Sequence, residues 1–286
     1  DFENLSMTLV VWLIVVLYGT EKDLYGTALQ YSKDYDFMTM YLYPFMFSMG
    51  GEIWDPKEPR IYGVINSEVN AEAMAWNRRM LDYQPPGAVY FGISENIDAF
   101  TQGKVATAFQ WAAVGPTMLT DENRENILIA PPPGFRQSDG TLRRVYALGG
   151  QPWVINAHND KVRMRVVVDF LAWWYLPETQ LEFARRGGNP SVKSTLESPG
   201  FDEIQPWFRV LKYMLNNERG RDFWHHPRYK EMLEVQQEAF TAYAPGQVND
   251  PVLVLEYIAC RQQDILFKSG SSQYAAPDLC ENVSLK

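Results

Sequence analysis

Residues Glu95–Trp111 read ENIDAFTQGKVATAFQW. Ile97 and Phe100 fall on one face of a helix. Gly103 stands where a helix stops in a left-handed residue, a conformation that costs a glycine nothing. Beyond Lys104, Val105, Thr107 and Phe109 alternate with Ala106, Ala108 and Gln110, the period of a strand. The strand is predicted to run into Trp111, with the small residues Ala112, Ala113 and Gly115 just after it. A helix, a glycine stop and a short strand in so few residues point to an α/β chain.

The flanking segments repeat the pattern. YGTALQY (Tyr25–Tyr31) alternates like a strand, and FMTMYLYPFMFSMGG (Phe37–Gly51) is an aromatic helix stopped by two glycines. INSEVNAEAMAWNRRMLDY has Ser67 as N-cap, Glu68 in the first turn, and Val69, Ala73, Trp76 and Met80 on one apolar face. Residues 126–134 (NILIAPPPG) predict a second strand, and RVYALGGQPWVINAH (Arg144–His158) a third and fourth around Gly149–Gly150. KVRMRVVVDFLAWWYL is helical, with Val162, Val166, Phe170 and Trp173 on one face. PETQLEFARRGG, FDEIQPWFRVLKYML and RYKEMLEVQQEAFTAY are further helices. NDPVLVLEYIACRQQDIL opens on Asp250 as N-cap and Pro251 at the first helical position. The tail from Phe267 reads as irregular. Strands alternating with helices, then late helices, make the class α/β.

The 286 residues carry 26 Lys+Arg against 35 Asp+Glu, a net charge of −9. That balance excludes nucleic acid, which needs a basic footprint, and an anionic membrane surface. Nine Trp and sixteen Tyr stand out. They fill a large core or line a polar-ligand cleft, where a ring stacks on the C–H face of a sugar. Cys260 and Cys280 could pair in an oxidising compartment, but form no CxxC and no metal spacing. His158, His225 and His226 are too few and scattered for a histidine metal site, and no cofactor motif is present. MTLVVWLIVVLYG (Met7–Gly19) is shorter than the roughly 20 apolar residues a membrane span needs. Lacking a basic residue before it and a cleavage site after it, it reads as a buried strand or helix rather than a signal peptide.

The order of these pieces is more specific than any one. It runs from the YG strand through the aromatic helix ending Gly-Gly, the amphipathic helix ending PPG, AFTQGKVATAFQW, APPPG, ALGGQPWVIN and PETQLEFARRGGNPSVKS to DPVLVLEYIACRQQDIL. Over roughly Leu24–Leu266 this resembles the extracellular solute-binding proteins of ABC importers, in particular the carbohydrate-binding, maltose-binding-protein-like branch. The resemblance implies a type II periplasmic-binding-protein (venus flytrap) architecture with a solute between two lobes. It also implies a periplasmic or extracellular location and the importer's membrane subunits as partners.

Site residues follow from the resemblance one at a time. Trp111 would be a stacking platform at the cleft rim, or a core residue. Gly149 and Gly150 would let backbone N–H groups approach the solute, or form a plain turn. Gln151 and Trp153 would add an amide and a ring. Tyr35 and Asp36, beside Asp34, lie in the loop where the family often places an aromatic and a polar contact. Trp224 and Tyr229 lie where it brings a late aromatic. Lys104 reads as a solvated turn residue, and His225–His226 as a helix-entry feature.

Departures qualify this. The family has a long opening segment before the position where this chain starts. Thr107 stands where its usual Met would be, and it has a charged amphipathic helix where this chain has MTLVVWLIVVLYG. The expected division is 1–143 in the second lobe, 144–190 as part of an incomplete first lobe, 191–268 as helical completion of the second, and 269–286 as tail. The apolar residues of 144–189, including Val154 and Ile155, would then need cover from Met7–Tyr18 or from a second polypeptide. Two other functions compete: a hydrolase using Asp34/Asp36 or Glu52/Asp55, and a structural or partner-binding subunit without solute.

Overall fold

The computed structural model describes residues 24–34, 37–150, 152–222 and 224–285, with the backbone alone for 37–40. The run Met7–Tyr18 and the candidates Tyr35, Asp36 and Gln151 lie outside the described residues. In chain order the elements begin β1 (Tyr25–Ala28), α1 (Phe37–Met49), α2 (Glu68–Arg79), α3 (Ile93–Thr101) and β2 (Val105–Ala108). Then come β3 (Phe135–Arg136), β4 (Leu142–Arg143), β5 (Val145–Ala147), α4 (Lys161–Trp174) and α5 (Pro177–Arg185). The chain continues through α6 (Phe201–Ile204), α7 (Phe208–Asn217), β6 (Arg219–Arg221), α8 (Tyr229–Tyr243) and α9 (Pro251–Lys268).

The chain divides into two compact units. The first takes the described residues up to Phe109, Pro132–Ala147 and everything from Gly220 onward; the second takes Gln110–Pro131 and Leu148–Arg219. The expected boundaries at 143/144 and 190/191 therefore move to 147/148 and 219/220, and 110–131 is a further excursion. The cause is packing: Leu119, Ala184, Phe201, Trp207 and Phe208 form one buried cluster, which draws 191–219 into the second unit.

In the first unit β1 pairs with β2 in parallel, Tyr25 opposite Val105 and Ala28 opposite Ala108. α1 is apolar all round, and residues 41–48 are all buried, as such a helix must be. Phe45 meets Trp76 of α2 edge-on at 5.0 Å, and Tyr43 meets Phe240 of α8 at 6.3 Å. The expected caps form: Ser67 Oγ accepts from Asn70 N at 3.4 Å, and Asp250 Oδ1 from Val252 N at 2.9 Å. Gly103 adopts φ 68, and Lys104 N donates to Ala99 O at 2.9 Å across it. Gln263 of α9 joins three segments: its carbonyl accepts from Ile61 N at 2.8 Å, while its amide donates to Tyr274 O at 2.7 Å. The tail is not wholly irregular, because Cys280, in a short helical turn Asp278–Asn282, is disulfide-bonded to Cys260 of α9.

Two expectations about strands are corrected. β2 ends at Ala108, not at Trp111, because its partner β1 ends at Ala28. Asn126 ends a short helical turn, residues 127–134 and 152–156 belong to no strand, and of the two strands expected in 144–158 only β5 exists among the described residues, paired with β6. A strand is stable only with a neighbour, and among the described residues those segments have none.

The second unit is therefore helical around its cluster, where Phe201 stacks on Phe208 at 4.4 Å. The helix expected over 201–215 is split: Gln205 is extended (φ −137, ψ 147) ahead of Pro206, as the ring of a proline imposes on its predecessor. The predicted face of α4 is open among the described residues, with Val162 75% and Val166 64% exposed. Phe170 and Trp173 are exposed beside them, and so is Val154.

Candidate functional site

The chain leaves the first unit just after β2, and the sequence around that exit shows how it is held. Ala28 opposite Ala108 is the last rung of the ladder. The next carbonyl, that of Phe109, is half-buried, where lacking a partner would cost free energy. Tyr41 of α1 supplies the partner: its hydroxyl donates to Phe109 O. Gln30 Nε2 in turn donates to the Tyr41 oxygen at 2.7 Å. The Tyr41 and Phe109 rings meet edge-on at 5.0 Å, and Phe45 lies 5.6 Å from Phe109. Burial pushes the Tyr41 phenol well above its usual range, so it stays protonated and keeps donating.

Trp111 follows, half-buried, with its amide donating to Gln110 Oε1 at 3.1 Å. It precedes a short helical turn, Ala112–Val114. Beyond that turn a Cβ on Gly115 would lie 2.6 Å from the Trp207 ring. Trp207 is itself fixed, its Nε1 donating to Asn189 Oδ1 at 3.1 Å. Gly115 thus has a local packing reason within the second unit, and Ala112 packs against the same cluster, whereas Ala113 is exposed.

The other candidates are distributed as follows. Gly149 and Gly150 are exposed. Neither has positive φ, and a Cβ on Gly150 would meet nothing. Trp153 is 55% exposed, its ring edge-on to Phe170 at 5.6 Å and to Trp174 at 5.9 Å. These four candidates, counting Trp111, lie in the second unit. In the first, Trp224 is 2% exposed and packs edge-on to Tyr43 at 5.9 Å. That is a core position. Tyr229 is half-buried, with its ring 6.2 Å from Trp224.

Of the carboxylates considered for hydrolysis, Glu52 and Asp55 have other duties. Glu52 is held by Arg221, at 2.5 Å, and by Arg143 at 3.9 Å. The Arg221 guanidinium also lies 3.9 Å over the Phe47 ring. Asp55 Oδ1 accepts from Lys57 N at 2.9 Å within its own turn, and Asp34 lies exposed in the loop after β1. His225 faces Asp222 at 3.2 Å, and His226 Nδ1 accepts from Arg228 N at 3.1 Å. Burial, then the nearby Arg228 charge, lowers the His226 pKa. Among the described residues no group of three or more His, Cys, Asp or Glu is placed to hold a metal, and no helix is long and apolar enough to cross a membrane.

Tyr41, Gln30 and Trp207 escaped the sequence reading. A tyrosine inside an apolar helix looks like core, and nothing in its spacing shows which carbonyl it meets.

Comparison with known proteins bears on the whole chain. Residues 19–204 match the family described as bacterial extracellular solute-binding protein. No curated protein matches the chain in sequence. Among solved structures it is similar to the maltose-bound MalE3 of T. maritima, with 20% identity and TM-score 0.74, over 88% of this chain and 62% of that one. It is similar to an ABC transporter solute-binding protein from Agrobacterium radiobacter K84 in complex with ribitol, with 20% identity and TM-score 0.73, over 89% and 63%. A third, from Agrobacterium vitis S4 with bound D-mannitol, shows 16% identity and TM-score 0.68, over 94% and 67%. These likenesses establish the fold, α/β of the two-lobed type II periplasmic-binding class. The chain spans 62% and 63% of the length of the first two.

Proposed function

Because this chain belongs to the bacterial extracellular solute-binding protein family, we propose that it is the non-catalytic substrate-binding component of an ABC importer. Its solute is a carbohydrate or sugar-like molecule, polyols included. The observation that carries this is the family match over 19–204. The solute class draws support from the maltose, ribitol and D-mannitol held by the similar structures, and from the aromatic content of the chain. The residues proposed to contact the solute are Trp111, Gly149, Gly150, Gln151 and Trp153, with Tyr229 and the Tyr35–Asp36 pair. A half-buried indole such as Trp111 offers a sugar an apolar face to stack on. The partners are the solute and the importer's membrane subunits. The Cys260–Cys280 disulfide supports a periplasmic or extracellular location, since such bonds persist in oxidising compartments.

A thermal-shift panel of maltose, maltotriose, ribitol, D-mannitol and D-sorbitol tests the proposal, with glycine and glutamine as controls. A saturable rise in Tm with a sugar or polyol is expected, since a ligand that binds only the folded state stabilises it. No rise with any of them contradicts the proposal, and release of reducing sugar from maltose indicates a hydrolase. One observation favours a second reading, a partner-binding subunit without solute: the open apolar face of α4. That reading predicts a flat panel together with association in solution.

A further inference from the structure

We propose that Tyr41 is a positioning residue, whose hydroxyl fixes the exit of the chain from β2 and thereby sets where Trp111 stands. The bearing of this on solute rests on the proposed role of Trp111. The anchoring itself is a matter of geometry.

A parallel ladder holds each residue only while its neighbour lasts, and here the neighbour ends at Ala28. From Phe109 onward something else must hold the backbone. Tyr41 does so with a hydrogen bond to the Phe109 carbonyl and an edge-on ring contact to the Phe109 side chain. A hydrogen bond with no ring would leave the carbonyl free to swing, and a ring with no hydrogen bond would leave it unpaired. The hydroxyl is itself held by Gln30, so a buried relay of Gln30, Tyr41 and Phe109 ends two residues short of Trp111. Tyr41 is 2% and Gln30 1% exposed, so the bond between them is shielded from water, while the Phe109 carbonyl is half-buried. Downstream, Gly115 sits under Trp207. Trp111 thus follows two residues after the anchored Phe109 carbonyl, and Tyr41 is the group that anchors it.

Tyr43, on the same helix, is the internal control. It too is buried and its hydroxyl hydrogen-bonds a side chain, that of Gln236. Its ring neighbours are Phe47, Trp224 and Phe240, not the β2 exit. Removing the Tyr41 hydroxyl deletes its bonds with Gln30 and with the Phe109 carbonyl, and removing that of Tyr43 deletes the bond to Gln236; among the described residues only the Tyr41 hydroxyl bonds the segment before Trp111.

The test is 19F NMR of the full chain labelled with 5-fluorotryptophan, with the Trp111 resonance assigned from Trp111→Phe. Tyr41→Phe is expected to shift or broaden the Trp111 resonance, whereas Tyr43→Phe leaves it in place while lowering Tm. Gln30→Met, which removes the relay's first donor and keeps Tyr41, should move the resonance in the same direction by less. An unmoved Trp111 resonance in Tyr41→Phe, or equal movement in both tyrosine variants, overturns the proposal. The spectra need no solute, so their outcome is independent of whether the chain binds one. If maltose binds the wild type, Tyr41→Phe should weaken it about threefold to tenfold, the scale of one hydrogen bond. Failure of every sugar and polyol of the panel to bind counts against the functional reading alone.

Discussion

Gly115 is a position where a single methyl group decides packing. Its backbone is ordinary (φ −45), so alanine meets no conformational strain there. The added Cβ would instead press on the Trp207 ring at 2.6 Å. Gly115→Ala should therefore destabilise the chain by about 1–3 kcal/mol, the usual cost of overpacking, read as a lower midpoint in urea. Tyr62 gives a second expectation. Its hydrogen bond to Glu256, then burial and the Glu256 charge, push its pKa up to about 12. In the unfolded chain a tyrosine ionises near 10. Between those values the unfolded state has given up the proton and the folded state has not, so folding weakens as pH rises. Burial raises Tyr31, Tyr41 and Tyr43 in the same direction. Above pH 10 Tm should fall steadily as these tyrosines come into play, and Tyr62→Phe should start lower and lose less over that range.

At the scale of elements the disulfide carries the clearest expectation. Cys260 and Cys280 close a loop with a sequence separation of 20. On the chain-entropy account such a loop is worth about 3 kcal/mol. Cys260→Ala with Cys280→Ser, or dithiothreitol on the wild type, should lower stability by about that amount, as measured by urea denaturation. Helices were the legible elements, because their signals are local. Ser67, Asp250–Pro251 and Gly103 mark ends that form as read, whatever packs around them. Strands were not, because a strand belongs as much to its neighbour as to its own residues. Ile127–Ile129 and Val154–Ile155 have the composition of strands and join no strand among the described residues, whereas Arg219–Gly220–Arg221 has none of it and pairs with β5. The same limit applies to the candidate site: Trp111 could be singled out from the small residues after it, but the Tyr41 and Trp207 contacts that hold its segment are long-range. Trp224 shows the reverse, since a late aromatic before a helix looks like a ligand contact until Tyr43 is found against it.

For the whole molecule, the helix face left open on α4 has a measurable consequence. Val162, Val166, Phe170 and Trp173 stand together on it, all exposed among the described residues, and contiguous apolar surface of this kind binds apolar probes. The native chain should enhance the fluorescence of anilinonaphthalene sulfonate at pH 7. Val162→Lys with Val166→Lys should reduce that enhancement while changing stability by no more than about 0.5 kcal/mol, as for other exposed sites. The central claim is solute binding, and isothermal titration of maltose, ribitol and D-mannitol into the wild type and Trp111→Ala, side by side, tests it most directly. One-site saturable binding of at least one of them is expected, weakened in Trp111→Ala by about 1–3 kcal/mol through lost stacking while Tm is retained. Absence of binding heat for every solute would contradict the claim, and Trp111→Ala that unfolds without cooperativity would return Trp111 to the core.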